Sequence, residues 1–228
     1  MDTTAKLADK TVLITGGAKR VGAEMARQLH AAGANIVIHY NRSADAANAL
    51  AAELNASRAD SALPVRAELL DVARLPALVD AAVQRFGHLD VLVNNASTFY
   101  PTPVGEITLA QWDDLIGSNV KAPLFLTQAA ALPLRLARGL VLNIVDIHGM
   151  RPLRRYPVYS VAKAGLIMLT RSLARELGPH IRVNGIAPGP VMWPADGAAD
   201  KDLQEKIIAR TALRRAGSPL DIARAALF

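Results

Sequence analysis

Residues 11–22 read TVLITGGAKRVG: a run of apolar and β-branched residues, a glycine turn, and the start of an Ala/Leu-rich amphipathic stretch. Strands buried on both faces read as near-continuous apolar runs rather than as an alternation. Similar runs lie at 35–39 (NIVIH), 63–67, 89–94 (LDVLVN), 140–145 (LVLNIV) and 181–186 (IRVNGI). Between them, helical spacing covers 22–32, 44–55, 75–86, 109–138 with an interruption, and 158–177. Residues 201–211 read as one more helix, and 219–228 begin another. Short loops joining alternating strands and helices imply a parallel sheet covered by helices on both faces. The expected architecture is α/β: a doubly wound, Rossmann-type parallel sheet in three layers, forming a single domain over residues 1–228.

Composition narrows the function classes. The 228 residues are 51% hydrophobic and 20% charged, too apolar for a disordered chain. The absence of cysteine excludes a disulfide scaffold, thiolate zinc sites and cysteine nucleophiles, and no metal is expected. No apolar run approaches the roughly 18 residues of a membrane span, and Met1-Asp2-Thr3-Thr4 does not begin an export signal. A cytoplasmic protein with no membrane partner is expected. The net charge of +6 suits an anionic ligand, but the basic residues are spread along the chain, so no nucleic acid is expected.

In a doubly wound sheet, ligands bind at the carboxyl ends of the strands. The first such loop, Thr15–Gly22, is a glycine turn opening a helix. Its glycines allow close approach of a pyrophosphate, and the free N–H groups of the helix start attract anionic oxygens. Lys19 and Arg20 lie inside this turn and strengthen that reading over a purely structural turn. The second strand ends in His39-Tyr40-Asn41-Arg42-Ser43, with no acid to accept from a ribose 2′-hydroxyl. Arg42, with the amide of Asn41 and the hydroxyl of Ser43, suits a 2′-phosphate instead, so NADPH/NADP+ is expected over NAD. The preference for NADPH over NADH should be about a hundredfold. Tyr159 and Lys163, four apart on one helical face after the fifth strand, pair a phenol with an ammonium that lowers its pKa. Tyr156 is the weaker candidate, since Ser160 stands four residues on.

Thr15-Gly16…Gly22, Asn94-Asn95-Ala96, Asn119, Tyr159…Lys163 and Pro188-Gly189 stand in the order and spacing of the short-chain dehydrogenase/reductase family, which the chain resembles throughout. The segments TGGAKRVG (15–22), HYNRSADAANAL (39–50), VLVNNASTFYPTP (91–103), NIVDIHG (143–149) and IRVNGIAPGP (181–190) are similar to the pteridine reductases of that family. The resemblance implies NADPH-dependent reduction of dihydropterins such as dihydrobiopterin, dihydromonapterin or dihydrofolate. Tyr159 would donate the proton, Lys163 would lower its pKa and bind ribose, and Asn119 would hold a relay water by interrupting its helix. Gly16, Lys19, Arg20, Val21, Gly22, Asn41, Arg42 and Ser43 would hold the cofactor phosphates. Glu68 and Leu69 would meet adenine, and Asn94, Ala96, Ser97, Pro188 and Gly189 would line the cofactor groove. Ser97, Phe99, Met192 and Trp193 would meet the substrate, with Phe99 stacked on its ring and the 188–200 loop closing over it.

Two departures from the broad family sharpen the expectation. Arg20 replaces the second turn glycine, and its counterpart in pteridine reductases reaches both phosphate and pterin. Asp146, thirteen residues before Tyr159, stands where most of the family has serine. An ionised carboxylate cannot donate to a ketone, but suits a ring needing protons or an acceptor. A role for Asp146 in capping is the plain alternative, and His148 is expected to be structural. The resemblance also implies a homotetramer, and a final strand and Gly-rich tail some twenty residues beyond Phe228, so the C-terminal strand is expected to be missing. The alternatives are a reductase of a carbonyl such as a 3-oxoacyl thioester or a sugar, and a non-catalytic NADP(H)-binding regulator.

Overall fold

The computed structural model describes residues 6–192 and 201–228. Among these, six strands form the middle layer: β1 (Thr11–Ile14), β2 (Asn35–Tyr40), β3 (Ala62–Arg66), β4 (Val91–Asn94), β5 (Leu140–Ile144) and β6 (Arg182–Ile186). All pair in parallel, in the order β3-β2-β1-β4-β5-β6. The doubly wound expectation holds. The order reverses between β1 and β4, where the loops leaving the two strands diverge and open a crevice.

Side-chain alternation explains the unbroken apolar runs. Val12 and Ile14 enter one core with Met25, Leu29, Leu50 and Leu54, while Leu13 enters the other with Leu75, Leu78, Leu126 and Leu134. With both faces covered, neither set of alternate residues can be polar without a partner. Pro64 falls in β3, at the edge of the sheet, where a missing N–H is tolerated.

The helices are α1 (Arg20–Ala31), α2 (Ala44–Ser57), α3 (Leu75–Phe86), α4 (Leu109–Ile116), α5 (Ala122–Leu136), α6 (Pro157–Leu177), α7 (Lys201–Ile208) and α8 (Pro219–Leu227). Their ends lie within three residues of the expected ones. The interruption expected in 109–138 is a π-turn, Gly117–Lys121, joining α4 to α5. A capping box starts α4: Thr108 Oγ1 accepts from the Gln111 N–H, and the Gln111 side chain accepts from the Thr108 N–H at 2.9 Å. Among the described residues, no helix is long and apolar enough to cross a membrane.

Candidate active site

The turn after β1 depends on two glycines. Gly16 takes φ +60°, a left-handed conformation that favours glycine. A Cβ on Gly22 would press on the Gly16 carbonyl and lie 2.8 Å from Asn95 Nδ2 and 3.0 Å from the Gly17 Cα. Helix α1 therefore starts directly against the turn. Gly22→Ala is expected to cost about 1–3 kcal/mol by overpacking, read as a lower Tm. Arg20 begins α1 at φ +54°, a left-handed conformation that glycine adopts more readily than arginine.

Asn95 braces the turn: its Nδ2 donates to Thr15 O at 2.8 Å and Gly16 O at 3.2 Å. Thr15 Oγ1 in turn accepts from the N–H groups of Asn95 and Ala96. Asn94, expected at the groove, is a different residue from this brace. The Asn94 side chain is instead buried, donating to Asn143 Oδ1 at 2.8 Å across the β4–β5 pairing. The signal was the alternation of β4, which turns successive side chains to opposite faces.

A cavity of about 420 Å³ runs along the carboxyl ends of β1, β2 and β4 and brings Gly16, Asn41, Arg42, Glu68, Leu69, Ala96 and Ser97 together. Asn41 Nδ2 donates to Glu68 Oε2 at 2.6 Å, and Glu68 Oε1 accepts from the Leu70 N–H. Lys19, Arg20 and Arg42 are exposed and make no ion pair among the described residues. Ser43 caps α2 without a side-chain cap hydrogen bond, so its hydroxyl stays available. Val21 is half-buried behind this rim.

A second group of polar side chains gathers around Tyr159, just past the carboxyl end of β5. Tyr159 Oη donates to Asp146 Oδ2 at 2.7 Å, and Asp146 Oδ1 accepts from the His148 N–H at 2.8 Å. Asp146 thus caps the 3₁₀ turn Ile147–Gly149 and holds the phenol with its other oxygen. The capping alternative and a place beside Tyr159 are both true of it. Burial first, and then the Asp146 carboxylate, push the Tyr159 phenol well above its ordinary value, while Ser97 opposes them. That differs from the expected lowering by Lys163. The ammonium of Lys163 donates to Ile144 O at 3.0 Å and sits 5.7 Å from the centre of the Tyr159 ring. Burial lowers Lys163 to about 8, with Asp146 opposing.

Asn119 lies in the π-turn and is almost wholly buried. Its Oδ1 accepts from Ser97 Oγ at 2.7 Å, and its Nδ2 donates to Leu115 O and Thr98 O. Phe99 is 44% exposed, stacked on Tyr156 at 4.6 Å and edge-on to Tyr159 at 4.8 Å. It stands beside the Tyr159 phenol, not in the core. Tyr156, set aside in the sequence for want of a lysine partner, supplies the back of that aromatic wall. Pro188 O accepts from the Ile147 N–H, holding the Pro188–Gly189 segment against the Asp146 turn. Met192 is exposed, and Trp193 lies outside the described residues.

A glycine turn opening a helix, a crevice at the sheet's reversal and a Tyr159–Lys163 pair on one helix are the features of an oxidoreductase built on a doubly wound sheet. The chain belongs to the short chain dehydrogenase family, whose model matches residues 10–204. It is 42% identical over 223 residues to pteridine reductase 1 of Leishmania tarentolae, covering 81% of this chain and 77% of that one. It is 33% identical over 221 residues to a 3-oxoacyl-(acyl-carrier-protein) reductase of Staphylococcus aureus, covering 96% of this chain and 89% of that one. The corresponding reductase of Staphylococcus epidermidis is 31% identical over 222 residues.

Proposed function

We propose that this oxidoreductase reduces dihydropterins with NADPH, using Tyr159 as proton donor. The carrying observation is the Asp146–Tyr159 hydrogen bond at 2.7 Å, an acid where a carbonyl-reducing site of this family has a serine. The 42% identity to a pteridine reductase supports it. The residues at hand fit NADPH: the turn of Gly16 and Gly22, three cations with no ion pair among the described residues, and no acid among residues 39–43 at the end of β2. Lys19, Arg20, Arg42 and Ser43 would hold its phosphates, and Glu68 and Leu69 would flank its adenine. Bound there, it supplies a hydride to a ring carbon of the substrate.

Every other step belongs to the chain. Phe99 offers a flat face to a heteroaromatic ring beside the phenol. Tyr159 Oη gives up its proton to the substrate, and Asp146 offers an acceptor, or a proton, to a ring nitrogen or amino group. Lys163 stabilises the phenolate that forms, and Asn119 fixes Ser97 within reach of the same oxygen. A small-molecule pterin, a cytoplasmic location and a homotetramer complete the reading, as the resemblance implies.

A second reading, reduction of a 3-oxoacyl thioester, is favoured by the 33% identity across 96% of the chain. The deciding measurement is NADPH oxidation with dihydrobiopterin, dihydromonapterin, dihydrofolate and an acetoacetyl thioester side by side. Turnover of pterins is expected; turnover of the thioester alone would overturn the pterin reading. For the cofactor, Arg42→Asp is expected to erase most of a roughly hundredfold preference for NADPH over NADH. Titration of both cofactors checks it, and equal wild-type affinities would sink the assignment.

A further inference from the structure

His39 is the last buried residue of β2, 2% exposed, and the chemistry above makes no use of it. It touches two loops at once. Its ring Nδ1 accepts from the Gly16 N–H at 3.1 Å, and its main-chain oxygen accepts from the Gly17 N–H at 3.0 Å. Its ring Nε2 donates to Ala67 O at 3.1 Å, just past β3, where the Ala67 N–H returns to Tyr40 O at 3.0 Å. A backbone N–H can only donate and a carbonyl can only accept, so the two contacts select one ring state: neutral, with the proton on Nε2. Burial pushes the imidazole below its ordinary value and so favours that neutral state.

The two segments joined by this ring are those assigned to the pyrophosphate and the adenine: the Gly16 turn and the stretch from Ala67 into Glu68–Leu69. We propose that His39 is a positioning residue for the adenosine half of the dinucleotide, its Nε2–H tautomer setting the Gly16 turn against the end of β3. The proposal rests on the reading of the crevice as a dinucleotide site. His39 lies outside the reacting end, so it acts on affinity and not on the chemical step. It also sets no preference between NADPH and NADH, whose pyrophosphate and adenine are the same.

Removing one side chain's hydrogen bonds while filling its space isolates this role. His39→Leu is expected to weaken NADPH and NADH alike by about tenfold, raising KM while kcat at saturation changes less than twofold. His39→Gln carries an acceptor and a donor at nearly the spacing of the ring nitrogens and should recover most of the affinity. Should His39→Leu fail to fold, His39→Asn replaces it: its amide reaches Gly16 but not Ala67, and its affinity should fall between Gln and a tenfold loss. In the ligand-free wild type, nitrogen NMR of the ring should show the proton on Nε2. A wild type that binds both cofactors equally, with both weakened in His39→Leu, supports this role and overturns only the phosphate preference. Unchanged affinity in His39→Leu, a Gln variant no better than Leu, or an Nδ1–H ring overturns the proposal.

Discussion

Tyr159→Phe is expected to lower turnover by roughly 10²–10⁴-fold, about 3–5 kcal/mol of transition-state stabilisation, while NADPH still binds. The substitution keeps the ring, and with it the edge-on contact to Phe99 and the packing on Leu115 and Val158. It removes one hydroxyl, the proposed proton donor. The Asp146 oxygen left behind is only half-buried and can turn to water, so the fold should lose no more than about 1 kcal/mol. Turnover with a dihydropterin, measured beside cofactor binding and Tm, separates the effects. Near-normal turnover would make Tyr159 an ordinary helix residue.

Asp146→Ser is expected to lower pterin turnover by roughly 10²-fold or more and to leave NADPH affinity nearly unchanged. Serine can still cap the Ile147–Gly149 turn, so the loop should survive. It cannot do so and also accept from Tyr159 in the geometry of a two-oxygen carboxylate. Asp146 raises the phenol's pKa by its charge and its hydrogen bond. Its loss therefore lowers that pKa, and the alkaline limb of the pH–rate profile should move to lower pH. The limb belongs to the coupled cluster, not to one residue. Pterin turnover against pH in both forms is the measurement. A serine variant with full pterin activity would return the chain to carbonyl reduction.

The sheet was legible because its physics is local. A strand covered on both faces is apolar at most positions, polar only where a partner is found, and β1, β2, β4 and β5 announce themselves by that near-continuous run. The π-turn was legible only as a break, since its buried residues, Gly117, Ser118 and Asn119, follow no simple period. The site was legible as a set of residues and not as a set of environments. Tyr159 and Lys163 share a helix face by spacing, but the direction of the phenol's shift depends on burial and on Asp146, which approaches through the fold. Likewise nothing in HYNRS tells that the first residue is bonded on both ring nitrogens. The one available sign was a polar ring at the end of a strand otherwise buried, which has to find partners.

A regular α-helix from Leu109 to Leu136 would present a single buried stripe. The π-turn slows the winding for one turn, because five residues close a ring that four close elsewhere. It acts as a phase shifter. Leu115, upstream, packs with Val158 and Tyr159, whereas Leu126, Ala130 and Leu134, downstream, pack with Leu75 and Leu78 under the sheet. Dropping one residue between 117 and 121 would restore the even repeat and swing all of α5 by about 100°. The segment is thus locked in length more than in composition. The slip that seats Asn119 also keeps two cores in register on one rod, so an insertion or deletion there would disturb the packing around Tyr159 and the sheet together.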